Sequence, residues 1–131
     1  MHPQQYAHRY QEAQISSVDR RRLLLLVLEG GGTFLNRARD GLAQGDLARF
    51  GESSSRAQAI ISELLGTLDF NAGGEIAKQL GRLYEFMLHH LTEASAQRSV
   101  RHVDEVIKVF SIIAGAYREI LERPPTNDAA A

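Results

Sequence analysis

Cysteine and tryptophan are both missing from the 131-residue chain, and proline occurs only at Pro3, Pro124 and Pro125. Without cysteine there is no disulfide, no thiol nucleophile and no thiolate metal site, a composition that fits a reducing cytosol. Charge of either sign is not in excess: 15 Lys plus Arg stand against 16 Asp plus Glu, a net of -1. The whole-protein field therefore attracts neither nucleic acid nor an anionic membrane. The longest apolar run, Leu23 to Leu28, falls far short of the roughly 20 residues needed to cross a bilayer. The start MHPQQYAHRY lacks the apolar core of a signal peptide. These absences together set the expectation of a soluble cytoplasmic protein with no nucleic-acid partner and no membrane insertion.

What is present is helical periodicity. From Gly73 to Ser95 the chain reads GGEIAKQLGRLYEFMLHHLTEAS, with apolar residues at Ile76, Leu80, Leu83, Met87, Leu91 and Ala94 in alternating steps of four and three. That spacing places them on one face of a helix. Tyr84 and Leu88 widen the stripe beyond a coiled-coil seam, while Lys78, Gln79, Arg82 and Glu85 take the other side. The stretch predicts a helix with several neighbours.

Before it, Ser16, Ser17 and Asp19 form a helix start, and a first helix runs to about Ala43 with the stripe Leu24, Leu28, Gly31, Leu35, Ala38 and Leu42. Nearly all of Leu23 to Leu28 then needs cover. Arg20, Arg21 and Arg22 oppose the dipole of that first turn, so helix stability does not account for them. The run Gly30 to Gly32 costs about 1 kcal/mol per glycine relative to alanine, which points to close helix approach or a local break. A second helix spans about Asp46 to Leu68, with Leu47, Phe50, Ser54, Ala57, Ile61, Leu64 and Leu68 in register. Asp69 to Gly74 reads as a turn. The fourth helix, Val100 to about Glu122, carries Val103, Ile107, Phe110, Ala114, Tyr117 and Leu121, thickened by Val106, Ile113 and Ile120, and the two late prolines stop it. Four segments of about 24 residues, each roughly 36 Å long and joined by short loops, predict an all-α antiparallel four-helix bundle. A flexible N-terminal arm occupies residues 1–17, the bundle 18–123 and a disordered tail 124–131.

Catalytic and metal-binding patterns are weak. His89 and His90 are consecutive, about 100° apart on a helix, and do not share an ion along the bundle axis. A di-iron bundle needs Glu-x-x-His on two helices, and this chain has none. No local motif of a Ser-His-Asp triad is recognisable. The expectation is a binding protein, not an enzyme, with no catalytic residue, cofactor or metal.

The motifs GGEIA and LYEFM with the downstream Glu93-Ala94, the preceding AQAIISELLGTLDF and the final VDEVIKVFSIIAGAYREI resemble, in order, the signature of the flagellar secretion chaperone FliS family. The likeness covers about residues 6 to 122. It departs at Val18, Asp19 and Arg20, where the family usually has Ser/Thr-Pro. A second departure is Leu28, Glu29 and Gly30, in place of Tyr/Phe-Asp/Asn-Gly. The resemblance implies binding of the disordered C-terminal segment of newly made flagellin, which prevents premature polymerisation and keeps it competent for type III export. Export-gate components and an anti-sigma factor are further implied partners, and the competing reading is a regulatory helical protein acting on that anti-sigma factor or another flagellar component. A monomer or weak homodimer is expected. Tyr10 matches the family's N-terminal tyrosine near the flagellin site, and Tyr6 is carried over beside it. Ile60, Ile61, Leu64 and Leu68 are expected to line an apolar groove for the cargo, because a segment that folds as an amphipathic helix gains its affinity from apolar burial.

Overall fold

The computed structural model describes residues 17–123, and these form four helices joined by short turns. Helix α1 is Ser17–Ala43, α2 is Leu47–Gly66, α3 is Phe70–Gln97 and α4 is Val100–Glu122. The helices stand in a square, α1 packing on α2 and α4, and α3 packing on α2 and α4. Connections of three residues or fewer make each helix antiparallel to the one before it. Among the described residues the architecture is the all-α four-helix bundle that the periodicity predicts. The arm expected at 1–17 and the tail expected at 124–131 fall almost wholly outside the described residues, except that Ser17 already belongs to α1.

Each turn is fixed by a carboxylate or hydroxyl at a helix start, satisfying amides that have no partner within the helix. Asp46 accepts from the Arg49 amide, Asp69 from the amides of Asn71 and Ala72, and Ser99 from that of His102. The stretch Asp69 to Gly74, expected as a turn, is one helical turn capped by Asp69 and then broken at Gly74, whose φ of 55° and ψ of -132° are not helical. Only a residue without Cβ adopts that conformation readily. The glycines of GGEIA thus begin the straight part of α3 at a kink.

The core has two clusters, a larger one of Leu28, Leu35, Ala57, Ile61, Leu64, Tyr84, Met87, Leu91, Val106, Phe110 and Ile113 and a smaller one of Ala38, Leu42, Phe50, Ala94 and Val103, with the partly buried Ile107 packed against both. The Gly30 to Gly32 run does not break α1. Gly31 is the close-approach point: a Cβ there would lie 2.5 Å from the Phe110 ring and 3.3 Å from Ile60. The absent side chain lets α1 seat against α2 and α4 together. Ser53 and Ser54, which dilute the apolar face of α2, are buried.

Two expectations about apolar cover are corrected. Leu23, Leu26 and Val27 are exposed among the described residues, so the Leu23 to Leu28 block buries chiefly Leu28. In α3 the buried seam is Ala77, Gly81, Tyr84, Met87, Leu91 and Ala94, and Ile76 and Leu83, expected inside, are 71% and 39% exposed. A heptad-spaced seam drifts by about 20° per heptad on a straight helix. The stripe counted from Ile76 begins one position outside the seam that starts at Ala77. One arginine of the first-turn triplet also finds a reason: Arg21 Nη1 donates to the Arg123 carbonyl at 3.4 Å. Antiparallel packing sets the positive first turn of α1 beside the negative end of α4, where a cation is favourable.

Candidate functional site

The α3/α4 edge of the bundle changes character along its length. At the end near the α3–α4 turn it is polar: His90 Nε2 and Glu105 Oε2 are 2.5 Å apart, the His90 ring lies between those of Phe86 and His102 at centroid distances of 4.6 and 4.4 Å, and Arg101 approaches Glu105 at 3.5 Å. The hydrogen bond from His90 holds the Glu105 carboxyl below the usual carboxylate value, with Arg101 and His102 adding to the effect.

Towards the other end the same edge becomes apolar. Ile76, Leu80 and Leu83 of α3 face Ile112, Ile113, Ala116, Tyr117 and Ile120 of α4 across an open groove of about 330 Å³, with Gln79 as its polar rim. Ile112 and Ile120 are 66% and 61% exposed. The two facing rows are heptad neighbours: Ile76, Leu83 and His90 succeed one another every seven residues on α3, as Glu105, Ile112 and Glu119 do on α4. Such flanking positions of a bundle ordinarily carry polar groups that close the edge by pairing. Here the pair closes it once, at His90 and Glu105, and isoleucines leave it open beyond.

The floor of the groove is held from below. Tyr84 is fully buried, and its hydroxyl donates to the Tyr117 hydroxyl at 3.3 Å. Burial first, and then that hydrogen bond, raise the Tyr84 phenol well above its ordinary value. The bond links the buried floor to Tyr117 in the groove wall. Gly81 lets Phe70 and Leu68 fold onto α3, a Cβ at that position falling 3.2 Å from the Phe70 ring. That contact ties the kinked start of α3 to its straight part.

The residues singled out from the sequence divide. Tyr6 and Tyr10 lie outside the described residues. Ile61 and Leu64 are core side chains at 0% and 5% exposure, while Ile60 and Leu68 are half-buried, packed respectively towards Gly31 and Gly81. None of the four lines the α3/α4 groove. Sequence reasoning placed Ile76 and Leu83 inside the bundle, passed over Ile112, and read Ile120 only as thickening the stripe of the fourth helix. The available signal was an apolar row too many: α4 carries isoleucine at 112, 113 and 120, more than one face of a helix buries.

Among the described residues no three His, Asp or Glu side chains converge as metal ligands, and none of the helices is long and apolar enough to cross a membrane. What the arrangement offers chemically is apolar surface at helical spacing, framed by a polar end.

A family model described as flagellar protein FliS matches residues 2–124. The flagellar secretion chaperone FliS of Salmonella typhimurium is 35% identical over 116 residues, covering 88% of this chain and 86% of the relative. FliSB of Pseudomonas aeruginosa, also a flagellar secretion chaperone, is 37% identical over 95 residues, 72% of this chain and 75% of its own length. FliS of Vibrio cholerae is 28% identical over 109 residues, 83% of this chain and 80% of that protein.

Proposed function

The chain belongs to the FliS family of flagellar secretion chaperones, and on that premise we propose that it binds the C-terminal segment of flagellin in the cytoplasm and keeps it unpolymerised for export. The observation that carries the reading is the open apolar groove between α3 and α4. From Ile112 to Ile120 its length is about 12 Å, two helical turns. An amphipathic helix of the cargo places side chains at i, i+3 or i+4 and i+7 along such a span.

The energetics bound how much of the work this groove does. Full burial of an aliphatic side chain contributes about 1.5–3 kcal/mol. Ile76, Leu83, Ile112 and Ile120 are 71%, 39%, 66% and 61% exposed, so covering all four contributes about 4–7 kcal/mol. Ordering a disordered segment costs about 2–5 kcal/mol, and association itself costs at least about 4 kcal/mol more. The groove alone therefore gives register and weak affinity; a tightly held segment covers further surface, with the exposed Leu23, Leu26 and Val27 of α1 as apolar area that the bundle leaves over.

Calorimetry of the full chain with a flagellin C-terminal peptide tests the reading. Ile112→Asp is expected to weaken binding at least tenfold while leaving the bundle folded by circular dichroism. Undiminished binding by the folded variant would place the cargo elsewhere. Co-expressed flagellin is expected to copurify with the wild-type chain as a complex that does not form filaments.

A further inference from the structure

The α1/α2 edge lies at the opposite side of the square from the cargo groove, and it carries a local surplus of positive charge. A pocket of about 460 Å³ there is lined by Phe34 and Arg37 of α1 and by Arg49, Glu52, Ser53 and Arg56 of α2. Three cations face one carboxylate. Glu52 is engaged by Arg56 within its own helix at 3.5 Å, whereas Arg37 and Arg49 have no carboxylate within 4 Å among the described residues. Two other edges are closed by a pair across them: Arg39 with Asp104 at 2.6 Å between α1 and α4, and His90 hydrogen-bonded to Glu105 at 2.5 Å between α3 and α4. The surplus is local, since the whole chain carries a net charge of -1.

The arginines are also placed, not merely gathered. The guanidinium carbons of Arg37 and Arg56 stand 5.8 and 5.6 Å from the centroid of the half-buried Phe34 ring. Attraction to the ring face holds each planar fork near one position while its N–H groups stay available. Arg49 and Arg56 are seven residues apart, so they sit in one row about 10 Å long on α2. The arrangement is an aromatic floor with Arg37 and Arg56 over it and Arg49 beside it, three cations of which Glu52 engages one.

We propose that the α1/α2 edge docks an acidic helical segment of a partner protein, carboxylates two turns apart engaging Arg49 and Arg56 and a third engaging Arg37. Charge complementarity selects the occupant. Carboxylates match the guanidinium fork in a bidentate way, and the pocket is a single local patch and not the long basic track that a nucleic-acid backbone follows. Because this edge and the α3/α4 edge share no helix, the acidic partner and the cargo bind at the same time. The chaperone then presents its loaded state to a second protein without releasing what it holds.

The probe is a synthetic helical peptide with glutamates at i, i+4 and i+7 around a central leucine, titrated by fluorescence anisotropy into the full-length chain. A counterpart with glutamine at the three positions is the control. The acidic peptide is expected to bind at least tenfold more tightly than the control, the ratio falling as salt rises. Arg37→Glu with Arg49→Glu is expected to abolish that preference, and Arg49→Ala alone to weaken binding about tenfold, as loss of one charge-assisted hydrogen bond does. Ile112→Asp is expected to leave it untouched, and the charge-reversed variant to retain flagellin-peptide binding. Equal affinity for the two peptides, unchanged binding by the double variant, or tighter binding of an oligonucleotide of matched charge would each overturn the proposal.

Discussion

Gly31 and its neighbour Gly32 are chemically identical, adjacent and both helical, yet alanine at the two positions should move stability in opposite directions. At Gly32 a new Cβ meets nothing within 4 Å. Replacing glycine by alanine in an unobstructed helical site removes conformational freedom from the unfolded chain and stabilises by about 0.4–1 kcal/mol. At Gly31 the same gain is set against a Cβ 2.5 Å and 3.2 Å from two atoms of the Phe110 ring and 3.3 Å from Ile60. Phe110 is 2% exposed and borders an open pocket of about 350 Å³, but a contact of 2.5 Å requires the ring to leave its place between the helices or the whole of α1 to shift. Overpacking of this kind costs about 1–3 kcal/mol, which leaves a net loss of about 0–2.5 kcal/mol. The two variants should therefore differ by about 1–3 kcal/mol, or some 4–12 °C in thermal midpoint for a domain of this size. Urea and thermal unfolding followed by far-ultraviolet circular dichroism measure both. If Gly31→Ala proves as stable as Gly32→Ala, α1 does not approach α2 and α4 at Gly31, and the account of the glycine run is wrong.

Three further outcomes follow from the geometry. Ile61→Asp buries an unpaired carboxylate in the core, where Ile61 is 0% exposed, and should unfold the bundle by more than about 4 kcal/mol; Ile112→Asp, at 66% exposure, should stay within about 0.5 kcal/mol of wild type in the same denaturation. Gly74→Ala forces a Cβ onto φ of 55° and ψ of -132° and should cost about 1–3 kcal/mol, seen first as faster amide exchange in residues 70–80. The Glu105 carboxyl sits below its ordinary value because His90 hydrogen-bonds it. Its contribution is present above the unfolded value of about 4.3 and is lost as pH falls through the lower folded value. The urea-midpoint advantage of wild type over Glu105→Gln should therefore be largest near neutrality and close as the pH drops below about 4.

Helix number, order and most boundaries were legible because periodicity and punctuation agree. Asp46, Asp69 and Ser99 cap where turn residues mark the ends. The local shape of Gly74 was not, because Asp69 to Gly74 reads as turn whether it is one or a capped helical turn followed by a kink. Arg21 illustrates a second limit. Its position is unfavourable for its own helix and becomes favourable only through the carbonyl of Arg123, 102 residues away in the chain and adjacent only once the helices pack.

The groove was missed for a related reason, which shows what a sequence can reveal about a helical chaperone. A stripe counted by threes and fours tells how many apolar residues share a face, but a bundle seam and a docking row differ by one position, about 100° of rotation. Ile76 and Leu83 fall one residue before Ala77 and Tyr84, and only the neighbouring helix decides which pair is covered. Ile60, Ile61, Leu64 and Leu68 form a dense apolar stretch, yet density is the signature of burial, and Ile61 and Leu64 are accordingly in the core. A docking row is better sought where a bundle expects polar residues. On this chain the heptad rows Ile76, Leu83, His90 and Glu105, Ile112, Glu119 interleave isoleucine and leucine with charge, and the places where the polar pattern lapses are those that the structure leaves open.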